Sequence, residues 1–371
     1  MTPRPRRDEC GVPFTKVEAR SNQDITFCER DGGDDDIMPG RVEEETLGGN
    51  QMKAAVLHAL GGVPRYEEFA DPVAGDDEVM VRVQAAALKP IDRQLARGTH
   101  YASPRELPVV CGMDGVGKLE DGTRVFFAAA RRPYGTMAER TVTRRAFCFS
   151  VSSRIDDMTA AALPNPGVSA WLTLTHRAKL AAGETVLILG ATGVTGQLVV
   201  RMAKLLGAKR VIGAGRDERR LARLHELGAD STIRIDSDGD VLRDAFAREA
   251  GEDGFDVIVD YLWGRPTEAL LAAITRPEFA AITKETRLVQ VGESAGAAIS
   301  LPAAVLRSTA LTIMGTAGIP SREILVDAME QVLKRAAKGE LRIETDPVAL
   351  AGIETAWERK EESGRRIVVI T

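Results

Sequence analysis

Apolar and polar residues alternate along the first half of the chain. The clearest run covers residues 78–86, where valine recurs at every second position, as Val79, Val81 and Val83. Shorter runs of strand length lie at 53–57 and 123–127, and glycine and proline separate the runs. Alternation with a period of two predicts half-buried strands. Because no helical period separates these strands up to about residue 165, we predict an antiparallel, barrel-like domain.

The second half of the chain has a different pattern. Apolar runs of strand length lie at 185–189, 210–213, 255–260 and 287–291. Apolar residues at helical spacing follow at 197–207 and 219–227. Continuous apolar strands that alternate with helices predict a parallel sheet covered on both faces. A further helix near 324–333 and a closing strand at 366–370 are expected to return to the first domain.

These patterns divide the chain into three parts. Residues 1–51 contain acidic runs at 34–36 and 43–45 and no sustained apolar period, so we expect a disordered leader. This leader is interpreted as an upstream extension, with a regulatory tail as the alternative. Residues 52–165 together with 314–371 are predicted to form the first domain, and residues 166–313 the second domain.

A glycine-rich loop follows the predicted strand at 185–189 directly. Gly190 would permit a tight turn, Gly193 would let a pyrophosphate approach the backbone, and Gly196 would let the next helix pack against the strand. The free N–H groups at the start of that helix would face the phosphates. Gly292, at the end of the run 287–291, is included in the predicted cofactor site. The loop residues of this site are Gly190, Ala191, Thr192, Gly193, Val194, Thr195 and Gly196.

The next strand bears on which nicotinamide cofactor is bound. Sites that prefer NAD usually carry an acidic residue at the end of this strand, where it binds the ribose hydroxyls. Here the strand ends in Gly215 followed by Arg216, and a guanidinium is a good bidentate partner for a 2′-phosphate. We therefore predict NADPH. In the alternative, Arg216 is a solvated loop residue and Asp217 binds the ribose.

Several motifs, taken in their order along the chain, resemble the medium-chain dehydrogenase/reductase superfamily, and most closely its zinc-independent quinone oxidoreductase branch. The resemblance covers residues 52–371. It implies an α/β fold with a GroES-like β-barrel catalytic domain and a Rossmann domain built on a doubly wound parallel sheet. Besides the glycine loop, the motifs are Lys89-Pro-Ile-Asp92 followed by Arg97-Gly98, Pro108 to Gly117, Tyr134 to Glu139, Ala161 to Trp171, and Ala182 to Leu189.

The residues that would bind zinc in the superfamily are replaced in this chain. Zinc members have a catalytic cysteine near the position of Pro90 and a histidine at the position of Met113. Neither residue found here is a metal ligand, and a catalytic zinc needs three protein ligands. The other cysteines and histidines are scattered without metal spacing. We therefore predict that no metal is bound.

Catalytic candidates rest on the resemblance and are weaker. Many similar quinone reductases carry a tyrosine two residues after Asp92, where this chain has Gln94, which can donate a hydrogen bond but cannot act as an acid. Tyr101, Lys89 and Asp92 complete the candidate set, although structural roles are the alternative for each. Tyr134 is considered on the same terms. Ser169 matches a small hydroxyl residue near the nicotinamide in similar proteins, and a helix N-cap is its alternative role.

Charge and cysteine content limit the functional classes. A net charge of −5 gives no overall attraction to nucleic acid or to an anionic membrane, and no apolar run reaches the length of a bilayer span. The four cysteines lie far apart and form no CxxC pair, which favours a reducing cytoplasm. The expected partner is a small-molecule substrate, and a homodimer is expected from the resemblance alone.

The resemblance, together with the predicted NADPH site, implies NADPH-dependent transfer of a hydride to a quinone or an α,β-unsaturated carbonyl compound. Two alternatives stay open. One is a zinc-free, NADP-dependent ketone or alcohol oxidoreductase. The other is an NADPH-binding redox sensor or binding module that has lost its chemistry, an alternative that the missing tyrosine keeps open.

Overall fold

The computed structural model describes residues 50–275, 284–316, 321–360 and 362–371. The predicted leader therefore lies outside the described residues, except for its last two positions. Of these, Gln51 already begins the first strand, which runs from Gln51 to Leu57 and is buried from Ala54 onward.

Strands and helices follow one another in three groups. The first contains β1 (Gln51–Leu57), β2 (Arg65–Ala70), β3 (Glu78–Leu88), α1 (Pro90–Arg97), β4 (Val109–Val110), β5 (Asp114–Leu119), β6 (Arg124–Ala128), β7 (Arg140–Arg144) and β8 (Cys148–Ser150). The second contains α2 (Asp157–Ala162), α3 (Pro164–Leu172), β9 (Thr185–Leu189), α4 (Val194–Leu205), β10 (Arg210–Gly215), α5 (Glu218–Leu224), β11 (Ser231–Arg234), α6 (Gly239–Ala250), β12 (Val257–Asp260), α7 (Arg265–Ile274), β13 (Thr286–Gln290), α8 (Ala303–Ser308) and β14 (Leu311–Gly315). The third contains α9 (Arg322–Ala337), β15 (Glu344–Ala349), α10 (Ile353–Glu358) and β16 (Arg365–Ile370).

The first and third groups share a mostly antiparallel sheet. Its strand order is β15-β16-β3-β5-β6-β8, with β7 also paired to β3, and a smaller sheet has the order β2-β1-β4. Strand β16 is antiparallel to β3, with Val369 opposite Ala86, so the end of the chain returns to the first domain as predicted. Only the pairing of β15 with β16 is parallel within the larger sheet as described.

The second group forms a parallel sheet with the order β11-β10-β9-β12-β13-β14. The chain runs outward from β9 to one edge and then crosses back to β12 on the other side of β9. This reversal of strand order is the topological switch point, where doubly wound sheets bind their ligands. The two sheets together confirm the predicted α/β fold class, while the limits of the two domains stay a prediction.

One hydrophobic core joins the two sheets. It includes Ala85 and Phe126 from the antiparallel sheet and Val186 and Val259 from the parallel sheet, all at most 2% exposed. Helix α3 lies in this core and packs tightly on α9, because a Cβ added at Gly167 would lie 2.8 Å from Val332 Cγ1. The elements on either side of the glycine-rich loop are therefore held in one packed body.

Helix α1 was not expected from the alternating pattern. It begins with Pro90 at its first position, where a missing N–H costs nothing. The Asp92 carboxylate accepts a hydrogen bond from the backbone N–H of Lys89 at 2.8 Å, which satisfies the helix start. The helix ends at Gly98, whose φ of 75° is the left-handed conformation that glycine adopts readily.

Candidate functional site

The glycine-rich loop connects the end of β9 to the start of α4 at the switch point. Gly190 has a φ of 83°, so the chain turns sharply as it leaves the strand. The N–H groups of Gly190 and Ala191 both donate to the carbonyl of Ala214, at 3.0 and 2.9 Å. The loop is therefore tied to β10, and Gly193 takes the N-cap position of α4.

Gly193 and Gly196 are glycines for different physical reasons. A Cβ added at Gly196 would lie 2.7 Å from Ala191 Cα, closer than real Cβ atoms approach, so glycine is required for the helix to pack against the loop. A Cβ added at Gly193 would meet only the Gly190 carbonyl oxygen, at 3.4 Å. Protein packing does not require glycine at 193, and the open space in front of the helix start fits a pyrophosphate.

Arg216 and Asp217, the two residues weighed for cofactor choice, have different surroundings. Asp217 is the N-cap of α5, where its side chain accepts a hydrogen bond from Arg220 N at 3.1 Å. The Arg216 side chain is exposed and, within the described ranges, has no hydrogen-bond or salt-bridge partner. Asp217 is therefore occupied in stabilising a helix, whereas Arg216 is available to a ligand.

Gly292 and Ser169, the two other residues predicted for the cofactor site, lie on different elements. The N–H of Gly292 donates to the carbonyl of Asp260 at 3.1 Å, and a Cβ added at Gly292 would lie 2.9 Å from the carbonyl oxygen of Tyr261. Gly292 thus permits close contact at the carboxyl edge of the parallel sheet. Ser169 is half-buried in the interior of α3, which has Leu163 as its N-cap, so the alternative role of Ser169 as an N-cap is wrong.

A turn near the end of the chain packs on the glycine-rich loop. Ser363 Oγ and Gln197 Nε2 each donate to the carbonyl of Thr192, both at 3.1 Å. The next residue, Gly364, has a φ of 80°, and a Cβ there would lie 2.8 Å from the same carbonyl oxygen. The turn thus fixes the middle of the loop. Nothing in the local sequence of residues 362–364 signals this contact.

Lys89 and Asp92 belong to a buried cluster of charges that also contains Asp114. Lys89 Nζ contacts Asp114 Oδ1 at 2.5 Å and lies 3.8 Å from Asp92 Oδ2. The side chains are at most 3% exposed. Asp114 was not among the predicted site residues, because its partner lies 25 positions away in the chain.

Asp92 connects α1 to the segment before β5. Its second carboxylate oxygen accepts a hydrogen bond from Met113 N at 3.1 Å, in addition to the bond from Lys89 N. Burial raises the pKa of Asp92, and the positive charge of Lys89 opposes that rise. Burial, with the charge of Asp92, also raises the pKa of the nearby Cys111 thiol. These two backbone hydrogen bonds join the start of α1 to the segment before β5 through Asp92.

Gln94 and Tyr101 are not part of this cluster. Gln94 is exposed on α1, and Tyr101 is 97% exposed with its ring 4.1 Å from that of His100. Tyr101 borders an open cavity of about 650 Å³ that also includes Arg105 and Arg132. Tyr134 has a structural position, since its ring packs edge-on against Phe69 with centroids 5.9 Å apart.

Two family models match the chain. Residues 75–152 match the alcohol dehydrogenase GroES-like domain, and residues 194–337 match the zinc-binding dehydrogenase domain. The quinone oxidoreductase-like protein 2 of Rattus norvegicus is 27% identical over 273 residues, which cover 71% of this chain and 74% of that protein. The chain belongs to the medium-chain dehydrogenase/reductase superfamily, in its quinone oxidoreductase-like branch.

Other superfamily members are similar at the same level. The chloroplastic NADPH-dependent alkenal/one oxidoreductase of Arabidopsis thaliana is 28% identical over 260 residues, covering 62% of this chain and 65% of that protein. The quinone oxidoreductase of Thermus thermophilus, also crystallised in complex with NADPH, superposes with a TM-score of 0.70 and 26% identity. That match covers 86% of this chain and 100% of the other one. These relatives support an oxidoreductase.

Pro90 and Met113, which the resemblance placed at zinc-ligand positions, have backbone roles in the structure. Pro90 starts α1, and the backbone N–H of Met113 donates to Asp92. In the part of the chain that the structure describes, no group of three or more His, Cys, Asp and Glu side chains could hold a metal ion.

Among the same residues, no helix has both the length and the apolar character needed to cross a bilayer.

Tyr261 is a further residue at this edge that sequence reasoning missed. It follows β12 directly, and a Cβ added at Gly190 would lie 3.2 Å from Tyr261 Cβ. Its hydroxyl is buried and has no hydrogen-bond partner among the described residues, and burial raises its pKa. An aromatic residue after a buried strand is too common a pattern to have marked it.

Proposed function

We propose that this superfamily member is a zinc-independent, NADPH-dependent reductase that transfers a hydride to a quinone or an α,β-unsaturated carbonyl compound. The observation that carries the proposal is the open helix start at Gly193, at the switch point of the parallel sheet, with the exposed Arg216 after the adjacent strand. This is the combination that a phosphorylated dinucleotide requires.

The chain offers separate groups to separate parts of the cofactor. The loop residues 190–196 would hold the pyrophosphate through backbone N–H groups, and Arg216 would bind the 2′-phosphate. Gly292 and Ser169 are proposed to border the nicotinamide end. When bound, the reduced nicotinamide supplies a hydride, and the substrate also needs one proton to complete the reduction.

On the substrate side, we assign Lys89 and Asp92 a positioning role, because both are buried and paired with other protein groups. Gln94 and Tyr101 stay the proposed substrate contacts, since their side chains are exposed. Gln94 can donate a hydrogen bond to a carbonyl oxygen, and the proton would come from Tyr101 or from water.

The names of two relatives support the acceptor class. One is a quinone oxidoreductase and the other an NADPH-dependent alkenal/one oxidoreductase, and both chemistries place a hydride on an acceptor conjugated to a carbonyl group. We further propose a cytoplasmic location, a homodimer, and a cofactor domain formed by residues 166–313. The rest of the chain from residue 52 would then form the catalytic domain.

The test is oxidation of NADPH and NADH by the full chain, with quinones, enones and simple ketones as acceptors and EDTA present. The reaction is followed by the absorbance of the reduced nicotinamide, at roughly 340 nm. Turnover of quinones or enones with NADPH despite the chelator is the expected result. Turnover only of simple ketones would favour the ketone or alcohol oxidoreductase. NADPH binding without turnover of any acceptor would favour the redox sensor.

Arg216→Ala tests the cofactor assignment within that assay. It should weaken NADPH binding by about 1.5–3 kcal/mol, the scale of a hydrogen bond to a charged group, and leave NADH binding nearly unchanged. Arg248→Ala, which removes another exposed arginine, on α6, is the control. Equal losses for the two nucleotides would contradict the role of Arg216.

A further inference from the structure

The end of β10 is closed to any side chain by the glycine-rich loop. A Cβ added at Gly215 would lie 2.5 Å from Thr192 Cγ2, 3.0 Å from Thr192 Oγ1 and 3.2 Å from Leu221 Cδ2. Real Cβ atoms essentially never approach another atom closer than 3.0 Å. The first distance therefore requires Thr192 to move if position 215 carries any residue other than glycine.

Thr192 is held so that it cannot move easily. Its residue is 8% exposed, and its carbonyl accepts the two hydrogen bonds from Gln197 and Ser363. Two of the three substituent positions on Thr192 Cβ face the added Cβ, at 2.5 and 3.0 Å. Because threonine has only one hydrogen on Cβ, rotation about χ1 always leaves at least one heavy atom in these two positions. The Leu221 contact is longer and involves the end of a flexible side chain, which can adjust.

We propose that Thr192 is a specificity-determining residue that excludes a carboxylate from the end of β10. An acidic residue at this place is the one that would bind both ribose hydroxyls of NADH. With Thr192 filling that position, the strand has to end in glycine, and recognition passes to Arg216 and a 2′-phosphate. The inference rests on the proposed dinucleotide binding and gives Thr192 a role besides its place in the loop.

The experiment compares four full-length proteins: wild type, Gly215→Asp, Thr192→Gly, and the double variant. The measurements are the dissociation constants of NADPH and NADH by calorimetric titration and the melting temperature without nucleotide. Gly215→Asp alone should melt lower and bind both nucleotides weakly. The double variant should recover much of the melting temperature and bind NADH about tenfold or more tighter than Thr192→Gly does. Its affinity for NADPH should fall at the same time.

Two results would overturn the inference. One is a Gly215→Asp protein that melts like wild type and already gains NADH affinity equal to that of the double variant. The other is a folded double variant with no gain for NADH. If the aspartate variants do not fold, Gly215→Ala replaces them. Its loss of melting temperature should be large in the wild-type background and nearly absent in the Thr192→Gly background, and an equal loss in both backgrounds would also overturn the inference.

Failure of the proposed function is visible separately. If wild type binds neither nucleotide, the proposed function and this inference both fall. If wild type binds NADPH well but the effects of positions 192 and 215 are simply additive, the proposed function stands and the role of Thr192 does not. Additivity is decisive because groups in direct contact are expected to be coupled.

Discussion

Lys89→Met is expected to destabilise the protein strongly, because it leaves the Asp114 carboxylate buried without its partner. Both side chains are 3% exposed, and the pair is in direct contact at 2.5 Å. Methionine keeps most of the length and apolar volume of lysine, so the change removes the charge without creating a large cavity. Breaking a buried ion pair on one side costs about 3–5 kcal/mol.

The matched control is Lys53→Met. Lys53 Nζ also pairs with a carboxylate, Glu68 Oε1, at 3.2 Å, but the two side chains are 41% and 57% exposed. Solvated pairs of this kind contribute about 0–1 kcal/mol. In differential scanning calorimetry, the melting temperature should therefore fall by about 6–20 °C for Lys89→Met, at roughly 2–4 °C per kcal/mol, and change little for Lys53→Met.

The double variant Lys89→Met/Asp114→Asn tests whether the lost stability comes from the unpaired Asp114 carboxylate. Once Lys89 is replaced, neutralising Asp114 should recover part of the lost stability, so the double variant should cost clearly less than the sum of the single variants. A loss for Lys89→Met no larger than that for Lys53→Met would refute the reasoning. It would mean that water or a shifted side chain solvates Asp114 in the variant.

Three further predictions concern the rest of the site. Gly193→Val should abolish binding of both nucleotides in titrations and leave the melting temperature nearly unchanged, and retained binding would contradict the loop assignment. Gly196→Val should lower the melting temperature, because position 196 is crowded and position 193 is not. Thr267→Val should lower the free energy of unfolding measured by calorimetry by about 1.5–3 kcal/mol, because the Thr267 hydroxyl donates at 2.6 Å to the buried Asp260 carboxylate. Thr267→Ser, which keeps a hydroxyl, should keep most of that stability. Burial raises the pKa of Asp92, so its contribution to stability is present below its usual pKa and is lost as the pH rises through the raised value. Asp92→Asn should reduce this loss of melting temperature at pH values above the usual pKa of an aspartate, and parallel melting curves for the two proteins would contradict the prediction.

The strand, the glycine-rich loop and the helix α4 could be predicted from the sequence because they are made by local backbone geometry. A strand, a loop with glycines three positions apart and a helix follow one another without interruption, and each step has its own pattern. The structure adds the distinction between Gly196, which packing requires, and Gly193, which it does not. The sequence shows the same residue type at both positions, so only the structure distinguishes a glycine that packing requires from one that it does not.

The surroundings of Lys89 and Asp92 were less predictable because they depend on contacts between distant positions. Helix α1 has only eight residues, too few for its period to stand out beside the strand before it. The partner of Lys89 lies 25 positions away, and the turn at Ser363 contacts Thr192 across 171 positions. A single sequence contains no local signal for such pairs, so the buried cluster and the fixed loop could be found only in the fold.

The geometry of that cluster also limits where substrate activation can occur. Asp92 accepts hydrogen bonds from two backbone N–H groups, and Asp114 is paired with Lys89, so the polar groups beside Pro90 and Met113 are already bonded to the protein. Such groups fix the shape of the barrel but have little capacity left to polarise a carbonyl oxygen. We therefore expect activation to depend on side chains outside the cluster that a substrate would cover on binding. Gln94 and Tyr101 meet that condition, because both are exposed and lie on or just after the helix that the cluster holds in place.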